Sequence, residues 1–151
     1  MSKIPAIAFG LAFSLSAAAF AFDANADTVQ TGKREILLEA TKSWNGKPYT
    51  HFTAGPAELV TIRLTIAPHT VLPWHSHPFP NAGYVLSGTL TLHDRASGDS
   101  HTFHAGEAFA ESVDDVHRGE SGDEPTVLLI TYAATPGTPT SVSAKGEKPE
   151  Y

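Results

Sequence analysis

The sequence predicts an all-β fold, a sandwich or barrel, and three observations carry that expectation. Glu58–Ile66 alternates apolar and polar residues, short runs of similar character recur behind turn-forming residues every eight to twelve positions, and no segment sustains a helical period. In the first of these runs Val60, Ile62, Leu64 and Ile66 face one way and Thr61, Arg63 and Thr65 the other, the period of two of a half-buried strand. Further strands are expected at 83–87, 89–93, 101–104, 108–112 and 127–132. They are separated by Ser87-Gly88, Ser97-Gly98-Asp99, Ala105-Gly106 and the stretch from Gly119 to Pro125. Glu35 to Ala40 is expected to add an earlier strand. From Thr135 the composition turns to Thr, Pro, Gly, Ser and Lys, too poor in apolar surface to offset its ordering entropy, so 135–151 reads as a loose tail.

The chain has 151 residues, enough for one domain, and no cysteine. That absence excludes a disulfide scaffold, a thiolate-ligated metal or cluster, and a thiol nucleophile. Ten Lys and Arg against sixteen Asp and Glu, net −6, with no basic run, exclude a phosphate-backbone footprint, so nucleic acid is not an expected partner. A phosphate loop, a dinucleotide fingerprint and a GxSxG elbow are also missing from the sequence.

Met1-Ser2-Lys3 starts the chain with a positive charge, nineteen uncharged residues follow from Ile4 to Phe22, and Ala24-Asn25-Ala26 closes the segment. This is the layout of a secretory signal peptide with cleavage after Ala26. The competing reading is an uncleaved anchor, because nineteen apolar residues can just span a bilayer. The expected organisation is a signal peptide over 1–26, a barrel over 27–134 and a tail over 135–151. The expected location is the periplasm, or alternatively the exterior, with no membrane anchor left after cleavage.

Eight histidines are present, and Trp74-His75-Ser76-His77-Pro78 holds the informative pair. Residues i and i+2 of a strand share a face, so these imidazoles can converge on one ion. Two solvent-facing polar residues would give the same spacing, and the pair alone does not decide between them. His51, His69, His93, His101 and His104 fall on or beside expected turns and edge strands and read as surface residues. Trp74, Phe79, Tyr84, Phe103 and Phe109 supply bulk for a pocket wall or for the core. Asp114-Asp115 reads as turn chemistry.

His75-Ser76-His77, followed by Asn81 and Gly88, resembles the first cupin motif, and Gly106, Ser112, Asp114, His117 and Ser121 keep the spacing of the second. Ser43-Trp44-Asn45-Gly46, Pro80-Asn81-Ala82-Gly83-Tyr84 and Val116-His117-Arg118-Gly119 are similar to stretches of small exported cupins. The resemblance runs from about Glu35 to Tyr132. It implies a jelly-roll barrel of two antiparallel sheets with one divalent metal ion (Fe, Mn, Zn or Ni) held by His75, His77 and His117. It also implies dimerisation through edge strands. The sequence departs from the motif where Asn81 replaces its carboxylate. A neutral amide is a poor ligand, so Asn81 is expected to orient an imidazole instead. A carboxylate can return through Glu111: if 108–112 is a strand with Phe109 inward, Glu111 is inward too, as fourth ligand or acid–base group. The opposing reading leaves Glu111 solvated at the rim or paired with Arg118. Tyr84 is the expected pocket donor. Two functions follow: a metal-dependent enzyme of oxygenase, isomerase or lyase type acting on a small molecule, or a non-catalytic small-molecule- or metal-binding module.

Overall fold

The structure, a computed structural model, describes residues 32–52 and 55–151. The expected signal peptide Met1–Ala26 and its cleavage site lie outside the described residues. The fold concerns Glu35–Tyr151, which forms one compact unit.

This unit is all-β. Its strands are β1 (Glu58–Ile66), β2 (His75–Ser76), β3 (Asn81–Ser87), β4 (Thr89–Asp94), β5 (Ser100–His104), β6 (Ala108–Ala110), β7 (His117–Ser121), β8 (Thr126–Ala134) and β9 (Val142–Ser143). Two antiparallel sheets result, ordered β1-β8-β3-β6 and β5-β4-β7-β2-β9. The core takes Ile66, Val85, Leu128, Ile130 and Phe109 from the first and Leu90, Leu92 and Phe103 from the second. Each such side chain, fully buried, is worth roughly 1.5–3 kcal/mol.

Local sequence explains the strand edges. Gly88 turns β3 into β4 with φ +76°, and a Cβ there would lie 2.6 Å from the Pro125 carbonyl oxygen, so the position admits only glycine. Strand β7 has no apolar alternation to announce it. Its inward residues are His117, Gly119 and Ser121, and a Cβ on Gly119 would meet the Leu90 methyl at 2.9 Å.

Two expectations are corrected. Glu35–Ala40 is not a strand: Ile36, Leu37 and Leu38 are consecutive rather than alternating, the first two are more than half exposed, and no ladder partner exists for them among the described residues. The segment 135–151 is not loose either. Val142–Ser143 pairs with His75–Ser76, and Ala144 N donates to the Trp74 carbonyl at 2.9 Å. Composition failed here because an edge strand needs only backbone groups and an open neighbour.

Candidate metal centre

His75 on β2 stands in register with His117 on β7, which places two imidazoles side by side across one ladder. His77 follows β2 at a bridge to Val113, and Pro78, with no N–H to give, ends the pairing. The three rings are 2%, 1% and 0% exposed, and their facing nitrogens all lie within 4.8 Å of one another.

Each ring is oriented by a backbone carbonyl. The Nδ1 of His75 donates to Pro73 at 2.9 Å, that of His77 to Thr140 at 2.7 Å, and that of His117 to Asp115 at 2.9 Å. A carbonyl only accepts, so Nδ1 carries the hydrogen in all three and a neutral ring presents the Nε2 lone pair to the common centre. Burial and the neighbouring His117 and His77 push His75 down to about 4 and keep it neutral.

Glu111 lies just beyond β6 and is 4% exposed. Its carboxylate is 3.0 Å from His77 Nε2 and 3.5 Å from His117 Nε2. Burial works to raise its pKa, but His77 and His117 outweigh it and hold the carboxyl well below the usual range. For His77, burial works downward and the Glu111 charge prevails, lifting the imidazole to about 9. An ion and a proton therefore compete for the same Nε2.

A second carboxylate arrives from a residue that sequence reasoning missed. Glu150, with its side chain 5% exposed, brings Oε2 to 3.3 Å from His75 Nε2. Burial and the charge of Glu111 both push its pKa up.

The Nε2 atoms of His75, His77 and His117 and the Oε2 atoms of Glu111 and Glu150 are buried without a hydrogen-bond partner. Each orphaned polar atom costs about 1–3 kcal/mol, and all offer lone pairs once the proton on His77 Nε2 is given up, so a cation among them satisfies what the protein leaves open. Three imidazoles with carboxylates form an N/O set that fits a first-row divalent metal.

The other expected site residues fall differently. Asn81 orients no imidazole: carbonyls hold all three rings, and both its amide atoms are buried and unpartnered. Tyr84 is not a pocket donor. Strand β3 turns Asn81, Gly83 and Val85 inward and Tyr84 the other way, in register with the exposed Leu129. The inward phenol is Tyr132, in register with Asn81, with its ring centroid 5.4 Å from that of His77 and its hydroxyl unpartnered. Arg118 does not pair with Glu111 but stacks 4.5 Å over the Trp74 ring. Phe79, Phe103 and Phe109 are core residues. Of the remaining histidines, His51, His69, His101 and His104 are exposed, and His93 meets Glu120 at 3.1 Å.

Two further residues brace the centre from the loop before β1. Tyr49 donates its hydroxyl to the Glu111 carbonyl at 2.6 Å. Asn45 donates to Asp94 and, at 2.9 Å, to Asp115, while its carbonyl oxygen accepts from Ser112 at 2.7 Å. Nothing in the local sequence assigns either residue this role, because the groups they brace lie far along the chain. A surface groove of about 350 Å³ beside Leu38, Trp44, His101 and Phe103 contains none of these ligand atoms.

Comparison with known proteins agrees with the all-β fold. Residues 62–132 match the family described as cupin domain. The fold is similar to that of the DMSP lyase DddQ from Ruegeria pomeroyi, with TM-score 0.51 and 16% identity over 66% of this chain and 47% of that one. It is also similar to a conserved protein with a double-stranded β-helix domain from Klebsiella pneumoniae, with TM-score 0.50 and 22% identity over 72% of this chain and 86% of that one. The chain spans less than half the length of the lyase structures it matches. No protein of curated function matches the sequence. At these identities the likeness is one of fold.

Proposed function

We propose that this chain, whose residues 62–132 match the cupin domain family, is an exported metal-dependent enzyme acting on a small molecule, of oxygenase, isomerase or lyase type. The observation that carries the reading is the convergence of three buried Nε2 lone pairs whose tautomers are set by carbonyls at their opposite nitrogens. His75, His77, His117 and Glu111 would hold the ion. Once bound, it supplies Lewis acidity and an exchangeable coordination position.

The chain's own groups do the rest. Glu111, held ionised between His77 and His117, binds the ion or accepts a proton at Oε2. Asn81 and Tyr132 present an unpartnered amide and an unpartnered hydroxyl to the interior, suited to hydrogen-bond a small polar molecule beside His77. The burial of all three imidazoles keeps bulk water from competing for these groups. The Met1–Ala26 pattern supports export to the periplasm, and a mature N-terminus at Asp27 in the purified protein is the check.

The test is elemental analysis of protein purified without a metal-affinity tag, beside His75→Ala and Glu111→Ala. About one divalent ion per chain is expected by analogy with single-site centres, lost in His75→Ala. Wild-type protein that stays metal-free after reconstitution with Fe, Mn, Zn and Ni overturns the reading. A non-catalytic binding module is favoured by one observation, the Glu150 carboxylate already seated at His75. Oxygen consumption or substrate turnover by the metal-loaded protein eliminates that alternative.

A further inference from the structure

The segment after β8 is stitched across the metal centre. The Thr140 carbonyl holds the ring of His77, β9 pairs with the strand carrying His75, and the chain then turns so that Glu150 enters the buried cluster. Glu150 Oε2 and His75 Nε2 lie 3.3 Å apart, and neither has a hydrogen-bond partner. His75 Nδ1 donates to Pro73, so the edge of the ring that meets Glu150 offers a lone pair. A lone pair facing a carboxylate in a dry interior is unfavourable unless a proton or a metal ion lies between them, and an ion held by the other two imidazoles is placed to take that position.

Charge points the same way. Three neutral imidazoles and Glu111 around a divalent ion leave one positive charge buried, and Glu150 cancels it. Exchanging Glu150 for another singly charged carboxylate keeps that balance, whereas a neutral molecule or a dianion does not.

Glu150 is also positioned to leave. Residues 148–151 are held by the Lys148 carbonyl, which accepts from Ser143 Oγ at 3.1 Å, and by the Tyr151 hydroxyl, 2.8 Å from Thr140 Oγ1. Both contacts are exposed. Their loss disturbs neither the β9 pairing nor the Thr140–His77 bond, which lie upstream.

We propose that Glu150 is a metal ligand delivered by the C-terminal strap, and that small monocarboxylate anions bind this centre by displacing it. The inference rests on the metal-site reading above and assigns that site its ligand class. A tethered carboxylate competes at an effective concentration of about millimolar or higher, so removing it unmasks affinity for a free one.

The experiment loads wild type, Glu150→Gln, a chain truncated after Glu147, and the exposed control Glu147→Gln with Co(II). Each is followed by visible absorption while acetate is added. In Glu150→Gln and the truncated chain the acetate-free spectrum changes, Co(II) affinity falls about tenfold, and acetate binds at least about tenfold more tightly than to wild type. Glu147→Gln behaves as wild type. If Glu150→Gln and the truncated chain bind Co(II) and acetate as wild type does, with the same spectra, the proposal is overturned and the metal site stands. If wild type takes up no Co(II), both fall together.

Discussion

His77 is held by Thr140: its Nδ1 donates to that carbonyl at 2.7 Å, across more than half of the barrel's sequence. The imidazole that faces Glu111 is therefore oriented by a segment whose composition gives no sign of structure. Orientation of the ligands and docking of the strap are one event.

Chelation should therefore destabilise the whole barrel. At free metal a hundred times its dissociation constant, binding adds about 2.7 kcal/mol to folding. For a domain of this size, removing it lowers Tm by roughly 10 °C. Differential scanning calorimetry with and without EDTA measures the shift, and His75→Ala should abolish the difference between the two scans.

Tyr49→Phe removes the hydroxyl that donates to the Glu111 carbonyl at 2.6 Å. That bond is worth about 1 kcal/mol. Because Tyr49 steadies the backbone that carries Glu111, the variant should also lose up to about tenfold in metal affinity. A competition titration against a chromophoric chelator reads the second effect separately from a thermal melt.

Asn45→Ala strips one donor group from both Asp94 and Asp115 and one acceptor from Ser112. The loss should cost about 2–4 kcal/mol in urea unfolding, since hydrogen bonds to charged groups are the strong ones. Asn45→Asp should be at least as damaging, because it sets a third carboxylate beside two others. The Asp115 carbonyl orients His117, so metal affinity should fall in both variants.

Acid should unfold the protein partly through Asp94. Burial works to raise its carboxyl, but hydrogen bonds from Ser97, Asn45 and Ala96 outweigh it and hold it at about 2, below its ordinary 3.8. A carboxyl depressed in the folded state stabilises fully above its unfolded value and loses that contribution as pH falls from about 4 to about 2. The amount is about 1–2 kcal/mol after allowance for solvent screening. Asp94→Asn should flatten the stability profile across that window, measured by urea midpoints at successive pH values.

The legible parts of the sequence were those whose signal is local. Alternation along Glu58–Ile66 located β1, and two residues of spacing placed His75 and His77 on one face. Glu111 was legible for an imperfect reason. Strand alternation pointed it inward with Phe109, yet β6 stops at Ala110, and Phe109, Ala110 and Glu111 are buried in succession. The chain bends there, and Tyr49 grips the Glu111 carbonyl. Strand β7 was illegible because its inward side chains are imidazole, hydrogen and hydroxyl rather than apolar. Glu150, Tyr49 and Asn45 were illegible because each acts through partners distant in sequence. The apolar content of Ile36-Leu37-Leu38 misled, since hydrophobic residues make a strand only where a neighbouring strand can receive their backbone.

The ladder between β1 and β8 runs the full length of both strands, from Glu58 opposite Ala134 to Ile66 opposite Thr126. Nearly every other element emerges between those two partners, so β1 has nothing to pair with until the β8 residues arrive, and β3 until then has only the short β6. Such non-local pairing is slow to form. The residues that would hold the ion, His75, His77, Glu111 and His117 before β8 and Glu150 after it, meet only after the barrel has closed. On the metal-site reading ion uptake is therefore a late step of maturation, and the site chooses only among the metals present where its folding finishes.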